Sequence, residues 1–79
     1  MTLKTGDNVI FIDSIRKEHN ALVTAIHGDP ENKPAINLVY VSDDTNEQDP
    51  YGRQLKRETS MVNIAHNSAK AHCWAEFPQ

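Results

Sequence analysis

Four histidines and one cysteine carry the widest chemistry in this chain: His19, His27, His66 and His72 with Cys73 could ligate a metal, or pair a nucleophile with a base. Zinc sites draw their ligands in close pairs a few residues apart, because one turn has to present both to a tetrahedral ion. The only such pair is His72-Cys73, adjacent in sequence, and neighbours on a strand point to opposite faces. Cys73 also lies in no recognised nucleophile surround, and a lone cysteine beside a tryptophan behaves as a small buried hydrophobe. An EF-hand register starting at Asp44 places oxygen ligands at Asp44, Asn46 and Gln48. It then fails, with Asp49 where glycine is required and Leu55 where a bidentate glutamate is required. Three glycines form no phosphate-cradling loop. A 79-residue chain leaves little room for a catalytic cleft. The expectation is a non-enzymatic protein with no metal and no cofactor.

The most polarised stretch is an acidic block followed by a basic one. Residues 43–50 hold Asp43, Asp44, Glu47 and Asp49 without a base, and residues 53–57 hold Arg53, Lys56 and Arg57 without an acid. Tyr51 stands between them, and an aromatic beside arginines can stack a nucleobase and clamp a phosphate. The neighbouring carboxylates would repel that phosphate, and the net charge of −3 runs against the basic footprint nucleic-acid binding requires. Protein–protein contact is the better fit, since opposed charge blocks give register to a repeated contact. Asp43, Asp44, Glu47, Tyr51, Arg53, Lys56 and Arg57 are the candidate contact residues.

The elements that must carry these residues are short strands. Asn8-Val9-Ile10-Phe11-Ile12-Asp13, after Gly6-Asp7, is a β-branched and aromatic run that predicts a first strand; residues 14–20 are polar and predict a hairpin loop. Residues 21–27 predict a second strand, with Leu22, Thr24 and Ile26 on one face and Ala21, Val23 and Ala25 on the other. Two prolines and a glycine make 28–34 a loop. Residues 35–42 are apolar on both faces, as expected of a strand covered at least partly on each side. Asp49-Pro50-Tyr51-Gly52 has the residue order of a type I turn. Residues 53–58 predict a strand with only Leu55 to bury, residues 60–66 another, Asn67-Ser68 a turn, and residues 71–77 a closing strand with Trp74 in the core. Five to six short antiparallel strands predict an all-β, SH3-like small barrel forming a single domain over residues 1–79.

The longest apolar run, Val9 to Ile12, is far short of a membrane span, which needs roughly 20 residues. The opening residues 1–7 have no apolar core of a secretory signal. One cysteine excludes an internal disulfide. A reducing, cytoplasmic setting, or a particle assembled there, is expected.

Three segments, residues 21–28, 34–42 and 49–66, resemble short proteins encoded by tailed bacteriophages. The similarity extends over roughly residues 6–75, and its most specific words are Asn37-Leu38-Val39-Tyr40-Val41 and Tyr51-Gly52-Arg53-Gln54. The resemblance implies a virion context and the role of a capsid decoration or cement protein, bound to the major capsid protein or another virion protein and oligomeric on the particle. It implies no catalytic residue. The alternative is a small nucleic-acid-binding or host-directed regulatory module made during infection.

Overall fold

The computed structural model of the chain describes residues 2–44, 46 and 48–77. It is all-β, with seven strands and one short 3-10 turn: β1 (Asn8–Ile12), β2 (Glu18–His27), β3 (Ala35–Val41), β4 (Gln48–Asp49), β5 (Gly52–Arg53), β6 (Leu55–Met61), the turn Ile64–His66, and β7 (Cys73–Glu76). β1, β2, β3 and β6 run as an antiparallel meander, and β7 returns to pair with β1. The five-stranded order is therefore β6-β3-β2-β1-β7. β4 and β5 form a separate two-stranded hairpin at the predicted Pro50-Tyr51 turn. Among the described residues the two ends of the sheet meet at one isolated parallel bridge, Asn63 to Trp74, where the Trp74 N–H donates to the Val62 carbonyl at 3.0 Å, without a continuous ladder between β6 and β7.

The inner face of the sheet holds the main core: Val9, Phe11, Ala21, Val23, Ile36, Leu38, Met61 and Trp74, with Leu3, Ile26 and Tyr40 packed against it. Full burial of side chains of this size stabilises by about 1.5–3 kcal/mol each. The Trp74 indole N–H donates to the Pro34 carbonyl at 3.0 Å, so the largest core residue leaves no polar atom unpaired.

Four expectations change, each for a local reason. β2 begins at Glu18, so the loop is shorter than residues 14–20. Asp13 makes this possible: its Oδ1 accepts the N–H groups of Ile15 and Lys17, and Arg16 takes a left-handed φ of 66°. β2 also does not keep one face throughout. The register shifts between Val23 and Ala25, and Ile26 then packs against the inner core beside Ala21 and Val23 rather than following Leu22 outward. Residues 60–66 are not a strand of their own: Ser60 and Met61 end β6, and Ile64–His66 form the 3-10 turn. Ser60 has a φ of 54°, and Asn63, fully buried, caps the 3-10 turn by accepting the Ala65 N–H at 2.9 Å; the asparagine side chain competes successfully with the ladder. Finally, Leu55 is 69% exposed, and β6 buries Met61 instead. Leu55 points to the outer face of an edge strand, where no described residue buries it.

Candidate protein-binding surface

The predicted contact residues do not form one patch. Tyr51 is at the tip of the β4–β5 hairpin and 96% exposed. Arg53, on β5, folds back so that its Nη1 donates to the Ser42 carbonyl at 3.4 Å. Lys56 and Arg57 are adjacent on β6 and so diverge: Lys56 pairs with Tyr40 on the inner side, Arg57 with Val39 on the outer side. Asp43 and Asp44 follow β3 in an exposed loop. Asp44 is tied locally, its N–H donating to Ser42 Oγ at 3.1 Å and its Oδ1 accepting the Asn46 N–H at 2.9 Å. Glu47 lies outside the described residues.

What the sequence pattern did not reveal is an open apolar strip on the outer face. Leu22 pairs with Val39, and Val41 with Leu55, all on that face. Leu22, Val41 and Leu55 are 45%, 53% and 69% exposed, while Val39 is half-buried. β3 is interior to the sheet, as its doubly apolar pattern predicts, but its outer side is uncovered. Arg57 borders the strip beside Val39, and among the described residues no strand pairs with β6 on its outer edge. The signal was present in the sequence as Val39, Val41 and Leu55, but a fully covered strand has the same pattern.

A second feature surrounds His19. On the inner face its ring lies against Phe11, with centroids 5.7 Å apart, and against Tyr40 at 5.0 Å. The imidazole is nearly buried, its side chain 8% exposed, and stands between two carboxylates: Nε2 is 2.8 Å from Asp13 Oδ2 and Nδ1 is 3.6 Å from Asp43 Oδ2. Lys17 Nζ meets the same Asp43 oxygen at 2.6 Å. These groups, with Ile15, Tyr40, Ser42, Asp44 and Lys56, line a recess of about 350 Å³. Burial works to raise the Asp13 carboxyl, but the hydrogen bond from His19 and those from the Lys17 and Ile15 amides together hold it below the usual value. The Lys17 ammonium, chiefly, does the same for Asp43. Nothing in the local sequence brings 13, 19 and 43 together; only the strand register does.

The remaining chemistry is internally satisfied. A cleft of about 450 Å³ between the N-terminal arm, the 28–34 loop and β7 is lined by Lys4, Asp7, Lys33 and Glu76, yet Lys4 pairs with Asp7 at 2.8 Å and Lys33 with Glu76 at 3.1 Å. Cys73 is fully buried, and burial pushes its thiol up, away from the nucleophilic thiolate. Among the described residues no group of three His, Cys, Asp or Glu side chains is arranged to hold a metal ion. No helix among them is long and apolar enough to cross a membrane. Comparison with models of known families, with characterised proteins and with solved structures finds no match in any of the three.

Proposed function

We propose that this chain is a non-enzymatic structural module that binds another protein through the open half of its outer sheet face, and that it does so as a decoration or cement protein on a bacteriophage shell. The observation that carries the binding surface is the strip Leu22, Val39, Val41 and Leu55, left uncovered beside a free strand edge. Apolar side chains collected on one face of a small domain mark an interaction site more often than scattered ones do. The phage setting rests on the resemblance of residues 21–28, 34–42 and 49–66 to short tailed-phage proteins. In this reading the apolar strip supplies burial and Arg57, with Arg53 and Tyr51 at the adjoining hairpin, supplies register at the rim. Shell binding would in turn add stability to a domain whose own core is small.

The test is charge reversal of Arg53 and Arg57 together, followed by co-sedimentation with purified particles. Binding is expected to weaken while the circular dichroism spectrum and thermal midpoint of the isolated protein hold. Undiminished binding would remove this rim from the interface. Binding that instead tracks added DNA or RNA, with a steep dependence on salt, would replace the shell by nucleic acid as the partner.

A further inference from the structure

We infer that the His19 imidazole is a proton-dependent latch between the β1–β2 loop and the acidic loop that follows β3. The ring stands between two carboxylates, within hydrogen-bond distance of Asp13 and close enough to Asp43 for electrostatic attraction without a hydrogen bond. Nε2 sits 2.8 Å from Asp13 Oδ2 and Nδ1 sits 3.6 Å from Asp43 Oδ2. A protonated imidazole presents an N–H at both nitrogens, whereas the neutral ring has one N–H and one lone pair. When solvent takes a proton from the ring, the shorter contact to Asp13 retains the N–H, and Nδ1 turns a lone pair toward the Asp43 carboxylate. The attraction holding Asp43 to the ring then becomes a repulsion, and Lys17 alone anchors that residue from the β1–β2 loop, through the 2.6 Å pair.

Every charged neighbour fits this assignment. Asp13 and Lys17 face the recess from the β1–β2 loop, Asp43 and Asp44 from the loop after β3, Tyr40 from β3 and Lys56 from β6. Arg53 acts on Asp43 from β5, and His72 packs edge-on against the Phe11 ring, with its own Nε2 3.4 Å from Glu58. Asp13 and Asp43 both ionise more readily than free aspartates, so neither is neutralised in the range where an imidazole changes charge. Asp13 is bound into the backbone of its own loop by two amide hydrogen bonds and cannot swing away. Asp43 has no equivalent tie, and its side chain is 49% exposed. The moving partner in the latch is therefore the Asp43 side chain, which is drawn toward the ring at low pH and released as the ring loses its proton, while Ser42 and Asp44 on either side stay hydrogen-bonded.

Two-dimensional NMR of the whole chain, titrated between about pH 5 and pH 8, reads the latch directly. The backbone amides of Ser42, Asp43 and Asp44 should follow the assigned His19 ring resonances with a common midpoint. In Asp43→Asn that response of the 42–44 amides should be lost, while the His19 ring still titrates. In Lys17→Gln it should grow, because the closest cation holding Asp43 is then gone and the imidazole carries more of the attraction. Both substitutions fall on exposed side chains and leave the core intact. Loop amides that ignore the His19 transition, or that follow it unchanged in Asp43→Asn, would overturn the latch.

Discussion

The outer face of the sheet carries apolar side chains on both of its halves, but the two halves are treated differently. Over β1 and β7, Ile10, Ile12 and Cys73 are buried, with Ile64 and Ala75 packed against them to make a second, smaller core. Over β2, β3 and β6, residues of the same chemical type stand open: Leu22, Val41 and Leu55. The difference lies in residues 62–72, which leave the end of β6 and lead back to β7. Their turn is fixed by buried Asn63, by the His72 N–H donating to the Asp13 carbonyl at 3.2 Å, and by Asn67, whose Nδ2 donates to the Ala71 carbonyl at 3.0 Å. The chain thus folds one cover for one half of the face, and among the described residues no segment covers the other.

The largest expected effect is on the covered half. Ile12 is 7% exposed, and Ile12→Ala should lower the unfolding free energy by about 2–4 kcal/mol, since the cavity left behind collapses only in part. Equilibrium urea denaturation measures this, and the loss is large for a domain of this size, whose whole stability is of the order of 5 kcal/mol. A change under about 0.5 kcal/mol, typical of an exposed surface position, would mean that the second core contributes nothing and that the two halves do not differ.

Acid should act next, and on the same cover. Glu76 of β7 accepts from Lys33 Nζ at 3.1 Å and from buried Asn63 at 3.4 Å. Burial works to raise its carboxyl, but these bonds and a backbone hydrogen bond hold it lower. Asp13, whose carbonyl receives the His72 N–H, is lowered as well. Groups that ionise more readily folded than unfolded contribute stability above their ordinary values, here 4.5 and 3.8, and that contribution is lost as the pH falls from there through the lower folded values. The thermal midpoint should therefore decline below about pH 5, and Glu76→Gln should make the decline shallower. An unchanged slope in that variant would separate Glu76 from the anchoring of the cover.

Strand existence was legible because β-branched runs bounded by turn formers need little context: the first three strands and the closing one overlap residues 8–13, 21–27, 35–42 and 71–77, with β2 reaching back to Glu18. What failed depended on pairing partners. The outward turn of Leu22 but inward turn of Ile26 follows from a bulge that only the match to β3 creates. Residues 60–66 look like a strand until the side chain of Asn63 finds the Ala65 amide. Leu55 looked like the buried residue of its segment because alternation reports which face a side chain joins, not whether anything covers that face. The charged contact set does not gather on one face for the same reason: Lys56 and Arg57, consecutive in sequence, stand on opposite sides of β6. His19 offered no signal at all, since its two carboxylates come from loops 6 residues before it and beyond β3.

The smallest effect on stability is expected on the open half, and it is the one that bears on function. Leu55→Gln should shift the unfolding free energy by no more than about 0.5 kcal/mol, because a side chain 69% exposed has little burial to lose. Its neighbour across the ladder, Val41, at 53% exposed, should behave alike, and the pair changed together should still fold. Co-sedimentation with particles should nevertheless fall sharply in the double variant, since the strip is the apolar centre of the proposed interface and the arginines only its rim. Loss of stability comparable to Ile12→Ala would show that the open half is covered in the free protein. Full stability with full binding would move the interface off this face and leave the two halves different in cover but alike in having no partner.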